Sequence, residues 1–228
     1  MMSGLESLPK ASLFVVVAPS GAGKTTLVRA LLRSRPTLCL SISTTTRLAR
    51  PAEREGVDYY FVSRSRFEHM RDEGCFLEWA EVHGNYYGTS RAVVMAALTG
   101  GNDLLLEIDC QGAAQVRSLF QDAITIFVAP PSVDALRERL QGRAQDDPET
   151  IERRIRGAQG ELARAHEADY LIINDDFDRA LRELTLIVDT AALRYRLRYA
   201  QSPALAHALR LQPGSTPIPY TSAQRRRD

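Results

Sequence analysis

Only three cysteines occur, Cys39, Cys75 and Cys110. They are odd in number and far apart, with no C-x-x-C pair. That excludes a disulfide framework and a cysteine-based zinc site, and it fits reduced thiols in a cytosol. Long apolar runs are absent too. The densest one near the N-terminus, residues 13–18, is far too short to span a bilayer. Residues 1–10 carry Glu6 and no apolar core, so they do not read as a signal peptide. An excess of one charge is also missing, since 29 basic and 28 acidic residues leave a formal net charge of +1. That balance argues against a protein that coats nucleic acid, and it leaves room for a local basic pocket. No internal repeat is visible. What remains is an ordinary globular composition, 44% hydrophobic and 25% charged over 228 residues. Such a chain can build a sizeable core without a metal or disulfide, and the expected location is the cytoplasm.

Apolar β-branched runs alternate with helical patterns along the chain. Strands are expected over residues 13–17, 104–108, 123–128 and 170–173. Helices are expected over 25–34, 112–119, 132–140 and 177–195. Continuous apolar strands separated by helices predict an α/β fold, a parallel sheet covered by helices on both faces. Residues 41–100 read differently, as a small α+β insertion. Short strands are expected there at 41–45, 59–62 and 76–82. Ser65 to Glu68 matches a capping box, and Thr89 or Ser90 can cap a further helix that stops at Gly100 and Gly101. Tyr60, Phe61 and Trp79 read as core packing. Residues 141–161 are polar and rich in arginine, with Arg143, Arg153, Arg154 and Arg156. Asp147-Pro148 is a good helix start, and Ile151, Ile155, Ala158 and Leu162 would form its apolar face. The division predicted is an N-terminal extension (1–11), a core (12–40 and 101–211), the insertion (41–100), a lid (about 141–157) and a disordered tail (212–228).

Between the first strand and the first helix stands Ala18-Pro19-Ser20-Gly21-Ala22-Gly23-Lys24-Thr25, followed by Thr26. This matches the phosphate-loop pattern G-x-x-x-x-G-K-[ST] except that Ala18 replaces the first glycine. Gly21 and Gly23 let the backbone curl so that successive N–H groups point at phosphate oxygens. The helix start adds the positive end of its dipole. Lys24 can reach the β- and γ-phosphates of ATP, and the Thr25 hydroxyl can face Mg²⁺. Asp109 or Glu107, at the end of a buried strand, can hold that ion through water; the alternative for Asp109 is to cap the helix that follows.

The insertion narrows the acceptor. It contains Ser41-Ile42-Ser43-Thr44-Thr45-Thr46-Arg47, Arg50, Gly56-Val57-Asp58-Tyr59-Tyr60-Phe61, Phe76-Leu77-Glu78-Trp79 and Gly84-Asn85-Tyr86-Tyr87-Gly88-Thr89. Glu107-Ile108-Asp109-Cys110-Gln111-Gly112, Ala129-Pro130-Pro131-Ser132, Leu140-Gln141-Gly142-Arg143 and Ile173-Asn174-Asp175 follow. In this order the set resembles the guanylate kinases over about residues 12–195. Ala49 and Ala52 depart from that family's usual proline and glycine, and Glu107 from its aspartate. The resemblance implies Mg-dependent transfer from ATP to GMP and dGMP. Arg47 and Arg50 would fork the acceptor phosphate, with Tyr59 and Tyr87 as phenol donors. Glu78 would accept from guanine N1 and N2, and Ser43 or Thr89 would donate to O6. Asp109 would face the acceptor as well. The arginine-rich segment resembles the lid of nucleoside monophosphate kinases, with Arg143 and Arg154 reaching the moving phosphoryl group and Arg153 and Arg156 solvated. Arg139 and Asn174 are expected on the ATP side. The partners implied are these small molecules, with no nucleic acid and no membrane; an oligomer is compatible with the sequence. Two rivals compete. A kinase for a phosphorylated sugar would not need Glu78 and Ser43. A scaffolding module of the same fold would not need an intact Gly23, Lys24 and Thr25.

Overall fold

The computed structural model describes residues 11–142 and 148–212. Its first part runs β1 (Leu13–Val17), α1 (Lys24–Ser34), β2 (Cys39–Leu40), β3 (Thr44–Thr45), β4 (Tyr60–Phe61) and α2 (Arg64–Asp72). There follow β5 (Phe76–Val82), β6 (Asn85–Ser90), α3 (Arg91–Thr99), β7 (Leu104–Glu107), α4 (Cys110–Leu119) and β8 (Ile124–Ala129). The last part is α5 (Val133–Gln141), α6 (Pro148–Ala163), β9 (Tyr170–Ile173), α7 (Phe177–Ala191), α8 (Tyr195–Gln201) and α9 (Pro203–Ala208). Residues 1–10 of the expected extension, Arg143, Asp147 and residues 213–228 of the expected tail lie outside the described residues.

Five strands form a parallel sheet in the order β2-β7-β1-β8-β9. The uninterrupted apolar character of β1 has a direct cause. Phe14 and Val16 pack on one face with Leu27, Leu31 and Leu184, while Leu13, Val15 and Val17 pack on the other with Val94, Val116 and Phe127. A strand buried on both faces has no side on which a polar residue is tolerated. Each large apolar side chain buried this way contributes on the order of 1.5–3 kcal/mol. Strand β2 was not anticipated. It is two residues long and half exposed, and its pairing with β7 leaves no pattern to read.

Strands β3 to β6 form a second sheet, ordered β4-β3-β6-β5, within residues 41–100. The strands expected at 41–45 and 59–62 shrink to two residues each. The chain between them instead spends its polar groups on side chains: Glu53 accepts from the Arg50 N–H, and Asp58 from the Arg54 N–H. Strand β6 forms over the Gly84–Thr89 motif, where the sequence predicts no strand. A bulge between Phe76 and Glu78 resets the facing of β5. It turns Glu78 inward and Trp79 outward, because a one-residue shift exchanges the faces of a strand. Trp79 is therefore 36% exposed; Tyr60, in β4, is 44% exposed, and neither is core. The small core of this sheet is Phe67, Phe76 and Tyr86, with Val62 and Met70 against it.

Helix starts show a similar shift. Ser63, extended two residues beyond β4, caps α2 by accepting from the Arg66 N–H, so the capping box at Ser65 does not form. Ser90, not Thr89, caps α3. Helix α6 packs Ile151, Ile155 and Ala158 on Leu136 and Leu140 of α5, and Leu162 turns to a different cluster. The long helix expected to Tyr195 ends at Ala191 and restarts as α8. The free edge at β5 is closed by Gln115 of α4. Its amide accepts from the Trp79 N–H at 3.2 Å and donates to the Trp79 carbonyl at 2.7 Å.

Candidate active site

Helix α1 differs from its neighbours at its start. Helices α2, α3, α4, α5 and α7 each begin with a serine or aspartate side chain on a backbone N–H. Helix α1 begins at Gly23, with no side-chain cap. Its first N–H groups stay available, which is what an incoming anion needs. Gly23 holds φ 93°, as does Gly21. A Cβ on Gly23 would also run into the Asn174 amide. Ala18 has no positive φ, so alanine serves where the pattern has glycine.

A cleft of about 580 Å³ opens on this loop. Ala18, Pro19, Ser20, Gly21, Gly23, Lys24, Thr25 and Thr26 line one wall. Ser43, Arg50, Tyr59, Glu78 and Tyr87 come from the second sheet, Glu107 and Asp109 from the β7–α4 link, and Arg154 from α6. The expected donor, metal and acceptor residues thus meet in one space. Five of the expected residues that the structure describes do not line it. Ala22 turns its carbonyl away, where Asn174 donates to it at 2.7 Å. Arg139 donates to the Asn174 carbonyl at 2.8 Å. Asn174 is buried, so these two residues hold the loop from behind and Asn174 is not open to adenine. Arg47 is turned onto Glu53 by two hydrogen bonds of 2.8 and 3.0 Å, and lies 5.3 Å from the Tyr59 ring. Thr89 is fully buried and donates to the Glu78 carboxylate in a short contact, so Ser43 is the hydroxyl that faces the cleft.

Lys24 Nζ donates to the Ile108 carbonyl at 2.9 Å. Thr25 Oγ1 touches the Glu107 carboxylate. Asp109 instead caps α4, accepting from the Gly112 N–H at 2.9 Å. Thr25 and Glu107 offer only oxygen, the donor type a small hard cation takes, and they leave most coordination positions to phosphate and water, as Mg²⁺ prefers. Among the described residues no cluster of three or more His, Cys, Asp or Glu side chains could hold a metal by itself. The residues present therefore fit a magnesium ion carried in with its nucleotide.

Glu78 is 3% exposed. Burial pushes its carboxyl up to about 7; Asp109 adds to this, while Thr89 and Lys24 oppose it. Its approach to α4 requires Gly112, since a Cβ there would collide with the Glu78 carboxylate. Tyr59 is raised by burial and by Glu107, which keeps its phenol a proton donor. Three residues of the site were missed in the sequence: Glu53, Glu161 and His83. Glu53 lies six residues beyond Arg47 in an irregular loop, a spacing without periodic meaning. Glu161 and His83 line the cleft from α6 and from the β5–β6 turn, and only the tertiary fold brings them there.

The family model described as guanylate kinase matches residues 10–191. A guanylate kinase of Ralstonia nicotianae is 53% identical over 194 residues, 85% of this chain and 88% of that one. One of Methylobacillus flagellatus is 54% identical over 185 residues, 81% of this chain and 92% of that one. The crystal structure of guanylate kinase from Anaplasma phagocytophilum superimposes with a TM-score of 0.73 at 29% identity, covering 90% of this chain and 98% of that one. A family model that spans most of the chain, with curated relatives at this identity over most of their own length, shows that this chain belongs to the guanylate kinase family.

Proposed function

We propose that the chain transfers the γ-phosphoryl group of ATP to GMP, and to dGMP, with Mg²⁺, giving ADP and GDP or dGDP. One observation carries this reading: a buried carboxylate, Glu78, shares a cleft with an uncapped phosphate loop. A buried acceptor with no cation on it asks for a ligand that brings donors. Guanine presents two, at N1 and N2; adenine presents an acceptor at N1 instead. A site built on such a group rejects the wrong base by on the order of 10⁴-fold.

The division of labour follows from the wall each residue lines. The loop N–H groups and Lys24 bind the ATP phosphates, and Lys24 exchanges the Ile108 carbonyl for a phosphate oxygen. Thr25 and Glu107 would hold Mg²⁺, whose positive charge would offset the negative charge of the ATP phosphates. Arg50, Tyr59 and Tyr87 take the acceptor phosphate, with Arg47 behind them once its fork is shared between Glu53 and the ligand. Phosphoryl transfer needs alignment and positive charge more than covalent help. Arg154 supplies charge from α6, and Arg143 is assigned the same task. Shutting α6 over the cleft excludes the water that competes as acceptor. Arg139 and Asn174 keep the loop in its binding shape. The substrates are small and polar, and among the described residues no helix is long and apolar enough to cross a membrane. The proposed setting is the cytoplasm, with no nucleic-acid partner.

The test is ADP release measured against GMP, dGMP, AMP, CMP and UMP. Turnover with GMP and dGMP and near-silence with the others is expected. Equal use of AMP would overturn the base assignment, and no turnover with any monophosphate would overturn the activity.

A further inference from the structure

Strand β5 stands last in the order of the smaller sheet, so its outer edge has no strand to pair with. The bulge after Phe76 makes its register a local matter. Pairing resumes with Glu78 opposite Thr89 and Trp79 opposite Gly88. A slip of one residue there would turn Glu78 out of the cleft. Two glutamines of α4 supply what the missing strand would. A primary amide carries the same donor and acceptor as a peptide group. Half-buried Gln115 lays its amide along Trp79, accepting from the N–H at 3.2 Å and donating to the carbonyl at 2.7 Å. One turn earlier, Gln111 donates to the Glu81 carbonyl at 3.4 Å. Four residues of helix and two of strand each advance by about 6–7 Å, so the two amides meet alternate residues of the strand. Between them lies Gly112, whose missing side chain leaves room for the Glu78 carboxylate.

Gln111 lines the cleft and Gln115 does not, so Gln115 reaches the chemistry only through β5. We propose that Gln115 is a specificity-determining positioning residue, whose amide stands in for a neighbouring strand and holds β5 in the register that keeps Glu78 on the acceptor base. The inference deepens the reading of Glu78 as the group that accepts from guanine, and it rests on that reading. Base discrimination depends on where one carboxylate sits, so a loosened β5 costs discrimination first. The phosphate loop follows β1 of the other sheet, and ATP binding does not depend on this contact.

The experiment is steady-state kinetics on the full chain with GMP and AMP as acceptors, for the wild type, Gln115→Glu and Gln115→Met, each also in a Glu78→Gln background. Gln115→Glu keeps the acceptor and loses the donor; Gln115→Met keeps the length and loses both, and it covers the case in which the charged variant does not fold. Each should raise KM for GMP, and lower the GMP to AMP ratio of kcat/KM, by about 3- to 10-fold, the worth of one such hydrogen bond. KM for ATP should stay within about twofold. In the Glu78→Gln background the same substitutions should move the ratio by less than about twofold, because the group they position is gone. Trp79 is the only tryptophan in the chain, and its ring lies against Tyr86 and Arg71. Acrylamide quenching of its fluorescence should therefore rise in both Gln115 variants. Unchanged quenching, an unchanged ratio, or an equal loss in the Glu78→Gln background overturns this inference alone. So does a matched rise in KM for ATP, which marks a general loss of structure. A Glu78→Gln protein with the wild-type ratio overturns the reading of Glu78 and this inference with it.

Discussion

Two side chains divide the proposed chemistry. Lys24 rests on a neutral acceptor, the Ile108 carbonyl, so its loss breaks a hydrogen bond and not a contact ion pair. Lys24→Met should keep the circular dichroism and melting temperature of the parent and lower kcat by about 10³-fold or more, judged from what one transition-state cation contributes. Wild-type turnover in the folded variant would falsify the phosphate-loop assignment. Glu78 is different, because burial lifts its carboxyl to about 7. Only the ionised form accepts from both guanine donors, so KM for GMP should rise as pH falls through that value, by about tenfold per unit well below it. Glu78→Gln should raise KM at pH 8, flatten the profile and move the GMP to AMP ratio of kcat/KM toward AMP. A profile equally steep in both proteins would assign the titration to another group. Both residues were legible in the sequence, Lys24 from its loop and Glu78 from its motif. What could not be read was orientation: the bulge that turns Glu78 in and Trp79 out has no signature in F-L-E-W-A-E-V.

At the scale of elements, the start of α4 carries a constraint that helix propensity would reverse. Replacing a helical glycine by alanine ordinarily stabilises by about 1 kcal/mol. At Gly112 the new methyl meets the Glu78 carboxylate, which is pinned by Thr89. Gly112→Ala should therefore lower the melting temperature and weaken GMP binding together, while ATP binding stays within a few-fold. A more stable variant with unchanged GMP affinity would mean that Glu78 moves aside freely. The same element shows where sequence reading stopped short. Asp109 was open between metal and cap; the structure has it capping α4, and Glu107 on Thr25. Long apolar strands were readable because burial on both faces leaves one kind of residue. The two-residue strands β2, β3 and β4 were blurred because long-range pairing, not local preference, makes them.

Across the whole molecule, two carboxyls, Glu78 and Glu161, are each pushed to about 7 mainly by burial. A carboxyl raised in the folded state holds its proton more tightly folded than unfolded. Its contribution to stability is therefore complete below the ordinary carboxylate value near 4.5 and is lost as pH rises through about 7. The ligand-free protein should show a lower urea midpoint at pH 8 than at pH 6, and a Glu78→Gln, Glu161→Gln double variant should show a smaller difference. An identical difference in both proteins would place the pH dependence elsewhere. The clip of Gln115 on Trp79 bears on a different matter, the order of events. It fastens the edge strand of the smaller sheet to a helix that grows straight out of the larger one. Any swing of the smaller sheet has its fulcrum there. Glu78 is one residue from that fulcrum and has almost no arc to travel, whereas Arg50, in the loop on the opposite flank, has a long one. On the proposed assignment, with Glu78 on the base and Arg50 on the phosphate, such a geometry would inspect the base first and grip its phosphate afterwards, so a wrong base would be turned away while the door is still open.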